Sequence, residues 1–244
     1  MKFALIPARG GSKRIANKNI RLFNGKPIIA YSIETAIASN LFDQIIVSTD
    51  CPDIAAIAEQ YGANVPFLRP ENISGDHAST VEVIQHAITF MQARYDDVTH
   101  CCCIYATAPF LTVQHLTQAR DALLLQSTSV SSKQSSIQKS FAFSVTEFPF
   151  PVQRALKITN GNIQAMYPEY RSTRSQDLSK AYHDAGQFYW GTCEGFLSEK
   201  PVFSEHSIPI ILPAYLVQDI DTPDDWTQAE LMHQALQLKL NASI

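Results

Sequence analysis

Two short stretches at opposite ends of this 244-residue chain carry residue types that could do chemistry together. The first is Pro7-Ala8-Arg9-Gly10-Gly11-Ser12-Lys13-Arg14-Ile15-Ala16-Asn17-Lys18-Asn19. Gly10 and Gly11 lack side chains, so their backbone N–H groups could approach an anion closely. Arg9, Lys13 and Lys18 add positive charge, Arg as a planar fork and Lys as a mobile point charge, both suited to phosphate. The plainer alternative is a solvated basic loop. The second stretch is Asp219-Ile220-Asp221. On a strand, residues two apart face the same way. Two such carboxylates suit Mg²⁺, which takes one or two carboxylates and completes its shell with water and phosphate oxygens. They repel each other unless a cation or basic side chain lies between them. The alternative is an acidic turn feeding the last helix.

Two weaker candidates lie between these ends. Arg69-Pro70 and Asp76-His77-Ala78-Ser79-Thr80 could read a base through backbone groups and hydroxyls, or simply form a capped loop. Tyr182-His183-Asp184-Ala185-Gly186-Gln187-Phe188-Tyr189-Trp190 invites a His–Asp dyad, but neighbours on an extended chain face opposite ways. Gln187 and Tyr189 could instead line a sugar pocket. The chain has no Walker A loop, no Gly-x-Gly-x-x-Gly fingerprint and no Gly-x-Ser-x-Gly elbow. An ATPase, a simple dinucleotide binder and a serine hydrolase are therefore unsupported.

Alternating strands and helices must position these groups. Lys2–Pro7, Gln44–Thr49, Asn64–Leu68 and Val98–Tyr105 read as strands. Helices are expected after Pro27, over Asp53–Tyr61, from the capping box Ser79-x-x-Glu82 to about Tyr95, and from Thr112 to about Leu125. The Ser-rich patch 127–136 interrupts the pattern. Gln187–Trp190, a short helix near Thr192–Leu197 and an apolar strand ending in Val217–Asp221 follow, and Thr222-Pro223-Asp224-Asp225 starts the last helix. The expectation is one α/β domain spanning 1–244: a Rossmann-like, mainly parallel sheet with helices on both faces. In such sheets ligands bind at the carboxyl ends of strands, where the basic loop falls. Segment 127–186 reads as an insertion of short strands and loops.

Charge is unevenly distributed. Residues 1–33 hold seven Lys and Arg and no acid, yet the chain carries a net −4. A nucleic-acid partner is not expected from that balance. No apolar run approaches the roughly 20 residues of a membrane span, and Phe3–Ala8 is too short for a secretory signal. A cytoplasmic location is the expectation. Five cysteines, three of them adjacent at 101–103, make a poor disulfide framework and read as packing residues.

These motifs, in this order, resemble the CMP-sialic acid synthetase family of cytidylyltransferases, with a nucleotide-diphospho-sugar transferase-like fold. The resemblance rests on Ala8–Asn19, Val47-Ser48-Thr49-Asp50, Arg69-Pro70, Asp76–Thr80 and Asp219-Ile220-Asp221. It implies that Arg9, Ser12 and Lys18 hold the phosphates of CTP, with Asn19 supporting the loop. Arg69, Ala78 and Thr80 would contact cytidine, and Asp219 and Asp221 would ligate Mg²⁺. Arg9, Lys18 and Asp221 would carry catalysis. Tyr105 and the Gln187–Tyr189 region would approach a nine-carbon acidic sugar. The 140–180 insertion would serve a homodimer and add basic residues to the sugar site, with Arg154, Lys157, Arg171 and Arg174 as candidates. The departures cluster at the sugar side. Tyr105 and Leu111 stand where sialic acid enzymes commonly have Gln and Arg, and His183-Asp184-Ala185-Gly186 replaces Arg-Pro-Asn-Gly. That combination resembles the pseudaminic acid branch, with legionaminic or sialic acid as in-family alternatives and a non-catalytic nucleotide-binding protein as an alternative of another class.

Overall fold

A computed structural model describes residues 1–76, 78–128, 137–198 and 200–241. His77 and most of the Ser-rich patch, 129–136, lie outside the described residues.

The chain opens with β1 (Lys2–Pro7), the basic loop, and a small hairpin of β2 (Leu22–Phe23) and β3 (Lys26–Pro27). Then come α1 (Ile28–Ser39), β4 (Gln44–Ser48), α2 (Pro52–Gln60), α3 (Thr80–Gln92), β5 (His100–Ile104) and α4 (Val113–Thr128). The second half holds β6 (Phe141–Glu147), a hairpin of β7 (Leu156–Thr159) and β8 (Asn162–Ala165), β9 (Tyr182–Thr192), α5 (Cys193–Leu197), β10 (Ser207–Leu212) and α6 (Pro223–Asn241).

Six strands form the central sheet in the order β10-β6-β9-β5-β1-β4. β1 pairs in parallel with β4 and β5, and β10 with β6. β9 runs antiparallel to both of its neighbours. The sheet is buried on both faces, so its strands read as apolar runs rather than alternating ones. Successive β1 residues divide between two cores. Ala4 and Ile6 meet Ile29 and Ile33 of α1, Ala58 of α2 and Leu116 of α4. Phe3 and Leu5 meet Ile84 and Ile88 of α3 and Phe196 of α5. The cysteine triplet divides in the same way, with Cys102 on one face and Cys101 and Cys103 on the other, all free and buried as expected.

Four expectations need correction. Asn64–Leu68 makes only isolated bridges, Ile46 to Asn64 and Thr49 to Leu68, because Pro66 has no N–H to continue a ladder. Val217–Asp221 is not a strand: the apolar strand is β10, and Pro213 ends it before a short 3₁₀ turn at Ala214–Leu216. The strand seen as Gln187–Trp190 extends over Tyr182–Thr192 and reverses the sheet direction. Phe141–Glu147 also belongs to the main sheet, so the exposed arm starts at Phe148. Elsewhere local signals hold. Ser79 and Glu82 form the capping box of α3, and the Thr112 hydroxyl accepts from the His115 N–H at the start of α4.

Candidate active site

The loop after β1, the segment before α3 and the residues after β5 converge at the carboxyl edge of the sheet around a cavity of about 500 Å³. Arg9, Ser12, Lys18 and Asn19 line it from the first, Arg69, Ala78 and Thr80 from the second, and Tyr105 from the third. Eight of the site residues expected from sequence are thus brought together.

The loop is built rather than loose. Asn19 is buried and its Nδ2 donates to the Arg9 carbonyl at 2.9 Å. Asn17 turns the chain in the left-handed region, φ 52°, which asparagine tolerates better than most residues. Gly10 requires a correction. Its N–H donates to Asp50 Oδ1 at 2.9 Å, so that donor is not free for an anion. A Cβ at Gly10 would meet the Cys51 Cβ at 2.9 Å, so the position needs glycine for packing. Gly11 has open space around it.

Each cationic group has a defined partner. Arg9 Nη1 lies 2.7 Å from Asp76 Oδ1, and Lys13 Nζ pairs with the other oxygen of the same carboxylate. Lys13, followed by Arg9, holds the Asp76 carboxyl below the usual aspartate range. Lys18 Nζ donates to the Ile220 carbonyl at 2.7 Å and to Asp221 Oδ1 at 3.2 Å, while Arg14 Nη1 takes Asp221 Oδ2 at 2.8 Å. Arg69 is buried; its Nε donates to the Ser48 hydroxyl at 3.1 Å and its Nη2 to the Ser48 carbonyl. Burial lowers its pKa, opposed by the charge of Asp50.

The two ends of the chain meet through apolar packing. Ile220, between the two aspartates, is buried with Ile15 of the basic loop and with Phe23, Phe110 and Trp226. Burying Ile220 leaves Asp219 and Asp221 facing outward beside Lys18. Burial, and then the Asp221 charge, raise the Asp219 carboxyl above its ordinary range. A cation between the two would relieve that repulsion. Among the described residues no group of three His, Cys, Asp or Glu side chains could hold a metal alone. Mg²⁺ binds through one or two carboxylates and takes phosphate oxygens for other positions, so Asp219 and Asp221 are the residues that would hold it.

The expected sugar residues divide. Tyr105 lines the cavity, and its hydroxyl lies 3.3 Å from Thr80 Oγ1. Tyr189 sits behind it, ring centroids 5.6 Å apart, stacked on Phe143 and donating its hydroxyl to Asp184. Gln187 does not reach the cavity. It is buried, its Nε2 donates to the Leu216 carbonyl, and its Oε1 has no protein partner. Buried on β9, it anchors the segment leading to Asp219 through that bond. His183 points its Nδ1 at the Asp184 carbonyl, not at the carboxylate, which removes the dyad. Arg154 donates to the carbonyls of Arg171 and Thr173, and Arg174 pairs with Asp177, all on the exposed arm. Arg14 and Asp76 were not singled out from the sequence as contacts of the loop; Asp76 stood only as one member of a loop motif.

The fold is shared with solved nucleotide-binding enzymes. A CMP:2-keto-3-deoxy-manno-octonic acid synthetase complexed with CTP superposes with TM-score 0.64 over 96% of this chain and 99% of its own, at 13% identity. The family model and the curated relatives define a nucleotidyltransferase. The chain belongs to the cytidylyltransferase family, whose model matches residues 3–221. It is 45% identical to pseudaminic acid cytidylyltransferase of Campylobacter jejuni over 231 residues, covering 94% of this chain and 95% of that protein. It is 31% identical to N-acylneuraminate cytidylyltransferase of Escherichia coli, over 95% of this chain and 52% of that protein. The resemblance read from the motifs is borne out.

Proposed function

We propose that this protein transfers the cytidylyl group of CTP to the anomeric 2-hydroxyl of pseudaminic acid, releasing pyrophosphate. The near full-length likeness to the Campylobacter jejuni enzyme carries the reading. The sugar oxygen attacks the α-phosphorus as the bond to the pyrophosphate oxygen breaks, and the hydroxyl proton passes to solvent. Catalysis of such a displacement rests on positioning and on charge stabilisation. Arg9, Ser12 and Lys18 hold the phosphates, and Arg9 and Lys18 stabilise the charge that develops on them. Triphosphate binding exchanges Asp76 for phosphate oxygens at Arg9 and Lys13. Arg69, Ala78 and Thr80 hold the cytidine. Asp219 and Asp221 would hold Mg²⁺, which supplies a positive charge to the reacting phosphates when bound.

The protein acts as a cytoplasmic homodimer in this reading. No helix among the described residues is long and apolar enough to cross a membrane. The arm from Phe148 exposes Phe150, Leu156, Ile158 and Ile163, beside Arg154 and Arg171. Covering these side chains with a second copy would remove them from water and bring basic groups to a sugar carboxylate.

The experiment is pyrophosphate release with CTP and Mg²⁺ across pseudaminic, legionaminic and N-acetylneuraminic acids. Release with pseudaminic acid is expected. Release with another acid alone overturns the substrate, and no release with any overturns the activity.

A further inference from the structure

Two cations hold Asp221, and they are not held alike themselves. Lys18 Nζ lies 3.2 Å from Oδ1, and Arg14 Nη1 lies 2.8 Å from Oδ2. The Lys18 side chain is 21% exposed, and its Nζ also donates to the Ile220 carbonyl at 2.7 Å. The Arg14 side chain is 68% exposed, and among the described residues it has no second ion pair. Both oxygens of Asp221 are therefore covered by protein cations, one fixed by a second contact and one reaching in from solvent.

A divalent cation on Asp221 needs one of those oxygens, and positive charge already on the carboxylate repels it. Lys18 cannot leave without also giving up the Ile220 carbonyl. Arg14 gives up one partly exposed ion pair, which is weak. Its other partner is close at hand. Arg14 lines the same cavity as Arg9, Ser12 and Lys18, where the triphosphate is proposed to bind. A guanidinium carries five donors and stays charged at any working pH, so it pairs with phosphate as well as with carboxylate.

We infer that Arg14 is an exchangeable cation: it neutralises Asp221 in the free protein, and releases it to pair with phosphate oxygens as metal and CTP bind. This rests on the proposed use of CTP and on Asp221 as a metal ligand. Arg14 then competes with a metal ion that arrives alone, but assists metal and triphosphate that arrive together. The loop thus favours the metal–triphosphate pair over the bare ion.

The test uses Mn²⁺ as the probe, an ion that carboxylates also bind, and needs no turnover. Free Mn²⁺ is measured by electron paramagnetic resonance in titrations without nucleotide of wild type, Arg14→Ala, Arg14→Gln and Lys13→Ala. Lys13 carries the same charge in the same loop but pairs with Asp76, so it controls for charge acting at a distance. Both Arg14 variants are expected to bind Mn²⁺ roughly two- to fivefold tighter than wild type, the scale of one partly exposed ion pair. Lys13→Ala should gain less. CTP affinity is then measured by calorimetry at saturating Mg²⁺ without sugar. There the Arg14 variants should bind CTP roughly three- to tenfold more weakly, the scale of one lost hydrogen bond. Opposite shifts of the two affinities cannot come from damage to the fold, which would weaken both. Mn²⁺ affinity equal to or weaker than wild type in both Arg14 variants overturns the inference, as does a gain no larger than that of Lys13→Ala. An unchanged CTP affinity overturns it as well. If wild type binds Mn²⁺ and CTP but releases no pyrophosphate with any sugar, the proposed reaction fails while the two titrations still decide the role of Arg14. If wild type binds no Mn²⁺ with or without CTP, the metal assignment and this inference fall together.

Discussion

Lys18 and Asp221 lie 3.2 Å apart across the join between the first and last parts of the sheet domain. The lysine also donates to the Ile220 carbonyl at 2.7 Å, so its ammonium is held at the mouth of the cavity by two contacts. One of those contacts is to a residue proposed above to hold Mg²⁺. The pair therefore couples the phosphate loop to the acidic segment.

Replacing Lys18 by Ala should lower kcat by about 10²–10³, the range seen when one preorganised charge-stabilising donor is lost. The side chain is partly exposed, so the melting temperature should move little. Steady-state kinetics and thermal melting on the same sample check this. An unchanged rate would reduce the loop to scaffold.

Removing the divalent cation should abolish turnover reversibly. Treatment with EDTA followed by added Mg²⁺ tests this, with CTP and sugar at saturation. Asp221→Asn should need far more Mg²⁺ for half-maximal rate while retaining wild-type secondary structure by circular dichroism. A wild-type Mg²⁺ requirement in that variant would take Asp221 out of the metal site.

Asp76 competes with phosphate for Arg9 and Lys13. Asp76→Asn should lower the KM for CTP, and the effect should shrink at high salt because exposed pairs are screened. Its carboxyl is held low by Lys13 and Arg9. Such a group stabilises the fold above the ordinary aspartate pKa and loses that contribution as pH falls through its own lower value. The difference in melting temperature between wild type and Asp76→Asn should therefore start to shrink below about pH 4 and vanish only once the pH has fallen through the lowered value of the folded state. A difference that grows with acid would reverse the sign of the argument.

Gly10→Ala should disturb the loop even though the new methyl is small. The Cβ would sit 2.9 Å from that of Cys51, and neither atom is the end of a flexible chain. Overpacking of this kind costs about 1–3 kcal/mol. Denaturant melts should show the loss, and the double variant Gly10→Ala, Cys51→Gly should recover part of it. Gly11→Ala, with open space around it, serves as the control.

Much of the site is legible in the chain itself because its signals are local. The glycine and lysine spacing of the first loop, the Ser79–Glu82 capping box and the apolar run of β1 each depend on residues a few positions apart. The acid pair was legible as well, although its expected strand was not, since Pro213 ends β10 early. Ile220 nevertheless keeps the two carboxylates outward, because its side chain has a core to enter.

What the tertiary structure alone decided is which charge meets which. Arg14 had no assigned partner until it proved to grip Asp221. Asp76 looked like part of a capped loop until Arg9 and Lys13 closed on it. Gln187 looked exposed to sugar until it proved buried on β9 and bonded to Leu216. Sequence determined the elements and the chemical inventory, because propensity, capping and periodicity act over one or two turns of chain. Strand direction, and hence the partner of each polar group, follows from packing across the whole sheet, which no short window of sequence contains.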